Sequence, residues 1–202
     1  MGASRKKTRR GLWPPEGMRL ARLALAVCLA LAFPCVEFGQ TRSEEYRIKA
    51  AYLGKIPSFV EWPPSDGITP KSAFQLCTVG YFPFGTRLAS EVDGVTVAGR
   101  KIELRLLRRG QELHDCDMVF FDQSEEKYYQ KMLESLQGKS VLTVGETKGF
   151  LNAGGIMQFN FENDKLQIEV NLVEARKAKL KLDARLLALA KRVVTEQGAP
   201  GG

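Results

Sequence analysis

Phe74-Gln-Leu-Cys-Thr-Val-Gly80, Asp117-Met-Val-Phe-Phe121, Ser140-Val-Leu-Thr-Val144, Gly154-Gly-Ile-Met-Gln-Phe159 and Leu166-Gln-Ile-Glu-Val-Asn-Leu172 are the stretches that decide the fold. Each is short, rich in β-branched or aromatic residues and bounded by turn residues, as strands buried in a sheet are. Ile156 to Phe161 and Leu166 to Leu172 alternate clearly across Asn163-Asp164, which predicts an antiparallel hairpin.

Outward from these blocks the elements alternate. Tyr46, Ala50 and Leu53 share one face of a helix that starts near Ser43 as N-cap. Pro57 has no N–H for the carbonyl of Leu53, so the helix kinks or ends there. Phe84 to Val92 reads as a short helix, and Asp93-Gly94 as a turn. Lys101 to Leu107 alternates charged and apolar residues like a half-exposed strand. Ser124 is placed to cap a helix carrying Lys127, Tyr128, Met132 and Leu136, with Gly138 just past its end. Gly154 or Gly155 is expected at positive φ in a turn. Leu182, Leu186, Leu189, Ala190 and Val193 fall on one stripe of a closing helix. Early alternation of helix and strand followed by a late hairpin predicts an α/β fold. The expectation is a single-domain layered sandwich, its sheet mostly parallel, with an antiparallel edge hairpin and a C-terminal helix.

The 202-residue chain opens on a leader. Seven Lys or Arg fall within the first 22 residues, and the uncharged run Leu23 to Phe33 follows. Eleven apolar residues suit a signal-peptide h-region and fall short of the roughly 20 needed to span a bilayer. Residues 1–40 are therefore expected to be a signal peptide with flanking leader, residues 43–195 the α/β domain, and residues 196–202 a flexible tail. The expected destination is the periplasm, with the signal peptide cleaved and nothing transmembrane left. Of the formal net charge of +7, the leader supplies most. Residues 41–202 hold 23 basic and 21 acidic side chains, a balance of +2, too small to argue for nucleic acid as a partner.

Catalytic equipment is sparse. His114-Asp-Cys-Asp117 offers nitrogen, sulfur and carboxylate ligands within four residues, but His114 is the one histidine of the chain. A structural zinc site normally takes four ligands from separated pairs, and neighbours on a strand point to opposite faces. No metal and no cofactor is expected. The same scarcity leaves a hydrolytic Ser–His or Cys–His pair a single base with no nucleophile beside it. Glu44-Glu45 and Glu125-Glu126 sit at helix starts, where acidic residues complement the helix dipole. The chain reads as a non-enzyme.

Two cysteines, Cys77 and Cys116, follow the leader. In an oxidising compartment they are expected to pair if their Cα atoms come within about 7 Å. Three outcomes stay open: a staple between neighbouring strands, a redox-sensitive bond whose reduction changes partner affinity, or two buried free thiols. Recognition has three candidate places. Tyr81, Phe82 and Phe84 lie just past a strand end, where open α/β sheets place ligands. Phe59, Glu61 and Trp62 leave the first helix as a second group, with Trp62 available as an interface anchor. The closing helix, with Arg185, Lys191 and Arg192 opposite its leucines, could join a homodimer.

Taken in order, Tyr46-Arg-Ile-Lys-Ala-Ala-Tyr-Leu53 with Phe59-Val-Glu-Trp-Pro63, then Phe74 to Gly85, Gly99-Arg-Lys-Ile102, Cys116-Asp-Met-Val-Phe120, Val141-Leu-Thr-Val144 and Gly154-Gly155, resemble the YfiR-like proteins of the bacterial periplasm. The likeness runs from roughly Glu45 to Val194 and rests on the order and spacing of the motifs. Two departures stand out: Pro57 inside the first helix, and no second cysteine pair around Gly154-Gly155. The resemblance implies an α/β fold of the expected kind and a regulator that binds the periplasmic sensor domain of a membrane-anchored diguanylate cyclase, lowering cyclic di-GMP synthesis. The alternative from a different class is a periplasmic small-ligand carrier with a pocket near Tyr81 to Phe84.

Overall fold

Tyr46, Ala50 and Leu53 do line the buried face of a helix, α1 (Glu37–Lys55). The structure is a computed structural model that describes residues 37–64 and 72–196. The expected leader up to residue 36, and the expected tail beyond Glu196, lie outside the described residues. The chain divides into two units between Thr41 and Arg42, and the sheet and core belong to the second. Ser43 does not cap α1. It lies inside the helix, where its Oγ accepts a hydrogen bond from the Arg87 guanidinium at 3.0 Å. Pro57 acts as its chemistry requires. The α-helix stops at Lys55, and one turn of 3-10 helix, Ile56–Phe59, leads into β1 (Val60–Glu61).

The remaining elements are β2 (Ala73–Val79), α2 (Arg87–Val92), β3 (Thr96–Val97), β4 (Arg100–Leu107), β5 (Met118–Phe121), α3 (Tyr129–Ser135), β6 (Leu142–Gly145), β7 (Met157–Glu162), β8 (Lys165–Asn171), α4 (Leu172–Lys177), β9 (Lys181–Leu182), α5 (Ala184–Ala188) and β10 (Ala190–Val194). Eight strands form one sheet in the order β10-β8-β7-β6-β5-β2-β4-β3, and β1 pairs with β9 apart from it. Neighbours from β4 through β2, β5 and β6 to β7 are parallel, while β8 is antiparallel to β7 and β3 to β4. Asn163 and Asp164 both adopt positive φ, 51° and 57°, as a two-residue hairpin turn demands.

Two apolar layers cover the sheet. On one face α1 and α2 bring Tyr46, Leu53, Leu88 and Val92 onto Phe74, Leu76, Met118, Phe120, Leu142 and Val144. On the other, Leu133 and Leu136 of the α3 region and Phe150 pack on Cys77, Val79, Val119 and Phe121. The strand blocks are apolar throughout because both faces of the parallel strands are covered.

Three expectations are corrected. The closing helix is only α5, five residues capped by Asp183, whose carboxylate accepts the Arg185 amide at 2.7 Å. The stripe then breaks. Leu186 is buried and Leu189 is exposed, while Ala190 to Val194 form β10, parallel to β8. The physical reason is the outer edge of β8, whose unpaired N–H and C=O groups outweigh helical spacing when Val193 and Val194 suit a strand. In consequence the β7–β8 hairpin is present but does not form the edge, which β10 takes. Finally, Ser124 is not the cap after β5. Asp122 accepts the Ser124 amide at 2.8 Å to start a 3-10 turn, and α3 begins only at Tyr129.

Gly145 at the end of β6 and Gly155 before β7 flank the Phe150 ring. A Cβ on Gly145 would stand 2.4 Å from Phe150 Cδ2, and one on Gly155 2.2 Å from Cδ1. Gly145→Ala is expected to lower stability by about 1–3 kcal/mol through overpacking. Urea melts should show Phe150→Leu recovering part of that loss. A neutral Gly145→Ala would mean the ring moves freely.

Candidate functional site

At the carboxyl end of β2 the chain turns through Gly80, at φ +100°, where a Cβ would meet Ser124 Oγ at 2.6 Å. That close approach brings the Tyr81 amide within 3.0 Å of Ser124 Oγ, to which it donates, and leaves the Tyr81 side chain 65 % exposed. Phe82 is half-buried, its ring 5.4 Å from that of Phe84. Phe84 is fully buried, edge-on to Tyr46 at 5.4 Å and to Phe120 at 5.2 Å. Of these three candidates, Tyr81 is exposed to solvent, Phe82 packs half-buried against Phe84, and Phe84 holds the turn to the core.

The second aromatic group lies at the opposite end of the sheet. Trp62 packs edge-on against Phe74, at the start of β2, at 5.0 Å, and its Nε1 donates to the Asp117 carbonyl at 3.4 Å. Phe59 is half-buried under the Arg185 guanidinium, 5.3 Å from its ring. Glu61 is exposed, 3.5 Å from Lys181 Nζ on the neighbouring β9. The seven residues of β2 separate Trp62 from Tyr81 by ~20 Å at the usual rise of a strand. The two groups therefore cannot grip one small ligand together.

Cys77 on β2 and Cys116 before β5 form a disulfide with a Cα–Cα distance of 6.0 Å. Both sulfurs lie in the apolar layer under Leu133, Leu136 and Phe150. Adjacent parallel strands bring them together. The rest of the His114–Asp117 cluster is dispersed. His114 is half-exposed, its Nε2 3.5 Å from Asp115 and 3.6 Å from Glu112. Asp117 is buried, accepting the Gln75 amide at 2.8 Å and the Arg100 guanidinium at 3.1 Å. Among the described residues no three His, Cys, Asp or Glu side chains are grouped to hold a metal ion.

Sequence reasoning missed the most heavily buried polar cluster. Where β6 ends, the Glu146 carboxylate meets Lys49 of α1, and each side chain is only 3 % exposed. Lys49 also bonds Glu45, while Glu146 accepts from the Tyr46 hydroxyl at 3.1 Å and from the Gln123 amide at 2.9 Å. Burial pushes the Glu146 carboxyl up from its ordinary value, against the pull of Lys49. Burial beside Glu146 and Asp122 pushes the Tyr46 phenol up as well. The only early signal was Lys49 on an otherwise apolar helix face. The cluster clamps α1 onto the carboxyl ends of β5 and β6. Nearby, Arg109 stacks 3.5 Å over the Tyr128 ring and pairs with buried Glu125 at 2.7 Å.

A cavity of about 520 Å³ lies elsewhere, between α3, the Leu151–Gly154 turn and α4, with Asn152, Asn171 and Glu174 among its lining. None of the six aromatic or acidic candidates lines it.

Two solved structures are similar to part of this chain. One is a conserved domain protein from Vibrio cholerae, 11 % identical, covering 59 % of this chain and 54 % of its own, with a TM-score of 0.46. The other is the ABC domain from Streptococcus pneumoniae in complex with L-Trp, 10 % identical, covering 72 % of this chain and 60 % of its own, at 0.49. This chain thus spans little more than half the length of either. The family model for YfiR/HmsC-like proteins matches residues 46–191, from Tyr46 of the clamp through the disulfide to the start of β10. The chain belongs to the YfiR/HmsC-like family.

Proposed function

We propose that the protein is an exported, non-enzymatic regulator that binds a membrane-anchored signalling protein, the periplasmic sensor domain of a diguanylate cyclase, and holds it in its inactive arrangement. The observation that carries this reading is the family match across residues 46–191, since the family is known in general for periplasmic regulation of cyclic di-GMP signalling. The arrangement supports it: Tyr81 is presented to solvent on a turn held by the Ser124 hydroxyl. Restraint of this kind is population shift, in which the regulator favours the inactive conformer of its partner. Deleting the gene in its host should raise cyclic di-GMP, and restoring it should lower it again. Unchanged levels in both strains would sink the proposal.

Tyr81→Ala tests the contact surface. Because the side chain is exposed, stability should move by no more than about 0.5 kcal/mol. Affinity for the cyclase sensor domain should fall by about 1–2 kcal/mol if Tyr81 anchors the interface. Calorimetric titration reads the second quantity and thermal melting the first.

Carriage of a small ligand is the second reading, and the cavity of about 520 Å³ beside Asn152 and Asn171 is what favours it. A ligand held there by the folded state alone would raise the melting midpoint as its concentration grows. A screen of small polar metabolites without such a shift removes this reading.

A further inference from the structure

α3 is held on the sheet mainly by its apolar face. It has seven residues, too few for a helix to be stable by itself. Tyr128, at its N-cap position, makes no side-chain capping bond. The first turn carries no acidic residue and the last no basic one, so the helix dipole is uncomplemented. What fixes α3 is contact. Leu133 and Leu136 join the layer that contains Cys77 and Cys116, with Tyr129 and Met132 packed against it as half-buried neighbours. Tyr129 meets the Phe150 ring edge-on at 5.2 Å. The packing is incomplete along one flank, because Leu133 and Leu136 also line the cavity of about 520 Å³. An uncapped helix beside a void belongs to the part of a fold that opens most readily.

α3 is thus a flap over a disulfide, and Met132 is its point of chemical access. Among the described methionines, Met118 and Met157 are fully buried, whereas Met132 is half-buried. Thioethers are oxidised where an oxidant can reach them, and the sulfoxide formed is polar. We propose that Met132 is an oxidation site, converted to the sulfoxide by hypochlorous acid, and that this loosens α3 over the Cys77–Cys116 disulfide. In net terms the sulfur gains one oxygen and gives up two electrons, while hypochlorous acid leaves as chloride and a proton. The new oxygen needs a hydrogen-bond donor that an apolar layer does not supply, so the side chain turns to water and its packing is lost. Opening of α3 then admits a thiolate to the sulfurs. Methionine sulfoxide reductase restores the thioether and with it the closed flap. This inference does not rest on the regulatory reading.

The test treats the purified, disulfide-bonded protein with limiting hypochlorous acid, maps the oxygen by peptide mass spectrometry and times disulfide reduction by dithiothreitol. Oxygen should appear on Met132 before Met118 or Met157. Reduction of the oxidised protein should be about tenfold faster, as a polar group in the layer shifts α3 toward its open state. Treatment with methionine sulfoxide reductase before the dithiothreitol should return the slow rate. Met132→Leu keeps the apolar bulk, so it should fold and reduce slowly with or without oxidant. Met132→Gln, polar from the start, should reduce fast without any oxidant. Oxygen placed first on Met118 or Met157, or on no methionine, overturns the proposal. So does a protein oxidised at Met132 whose disulfide reduces at the original rate. Acceleration that persists in oxidised Met132→Leu assigns the effect to another residue and overturns it as well.

Discussion

Lys49→Met is expected to cost about 3–5 kcal/mol at neutral pH, although it keeps the length and most of the volume of the side chain. The loss comes from charge. Lys49 Nζ sits between Glu45 and Glu146, and the Glu146 side chain is 3 % exposed. Without the ammonium, Glu146 retains its hydrogen bonds from Tyr46 and the Gln123 amide but has no counter-charge in a water-poor site, with Asp122 and Glu45 nearby. A carboxylate so placed takes up a proton. Its folded-state pKa is already raised above the ordinary 4.5 by burial, and losing Lys49 raises it further. The sign follows from linkage. Between the unfolded and the raised folded value the native state binds the proton more tightly. Glu146 therefore contributes most below about pH 4.5, and this contribution is lost as pH rises through the folded value. The deficit of Lys49→Met should shrink on mild acidification. Lys49→Met combined with Glu146→Gln should recover much of it at neutral pH, because an amide needs no counter-charge. Urea denaturation of the three variants and the wild type at neutral and mildly acidic pH measures both effects. A deficit indifferent to pH would assign the loss to packing.

That cluster also shows where the sequence stops being legible. The strand blocks could be read because burial on both faces leaves a continuous apolar run, and the hairpin because Asn163 and Asp164 tolerate positive φ. Pro57 could be read because the missing N–H acts locally. Lys49 and Glu146 are 97 residues apart, and nothing local marks either as half of a pair. Ser124 was the expected cap, but the close approach of Gly80 claims Ser124 Oγ for the Tyr81 turn, and Asp122 starts the 3-10 turn instead. The stripe from Leu182 to Val193 fits a helix, and its conversion into β10 depends on an edge that exists only once β7 and β8 have paired. Of the recognition candidates, the aromatic spacing was visible but its fate was not. Phe84 went to the core and Tyr81 to solvent, while Trp62 went to the far end of the sheet.

Replacing both Cys77 and Cys116 by serine is expected to cost about 4 kcal/mol on the chain-entropy model for the 39-residue separation. The hydroxyls left in an apolar layer would add to that loss. The larger question is access. Both cysteines are buried beneath Leu133, Leu136 and Phe150, so a thiolate must reach the sulfur through a local opening before exchange can begin. Reduction of the folded protein should therefore be slow and accelerate steeply in sub-denaturing urea, and the reduced protein should melt well below the oxidised one. Time-resolved thiol labelling after addition of reductant reads the first, and calorimetry the second. If the bond is a staple, the reduced protein loses its partner only as it loses its fold, and binding and melting fall together along a urea series. If the bond is a redox gate, reduction is fast in the absence of urea and partner affinity drops while the melting transition stays cooperative. Burial of both sulfurs favours the staple.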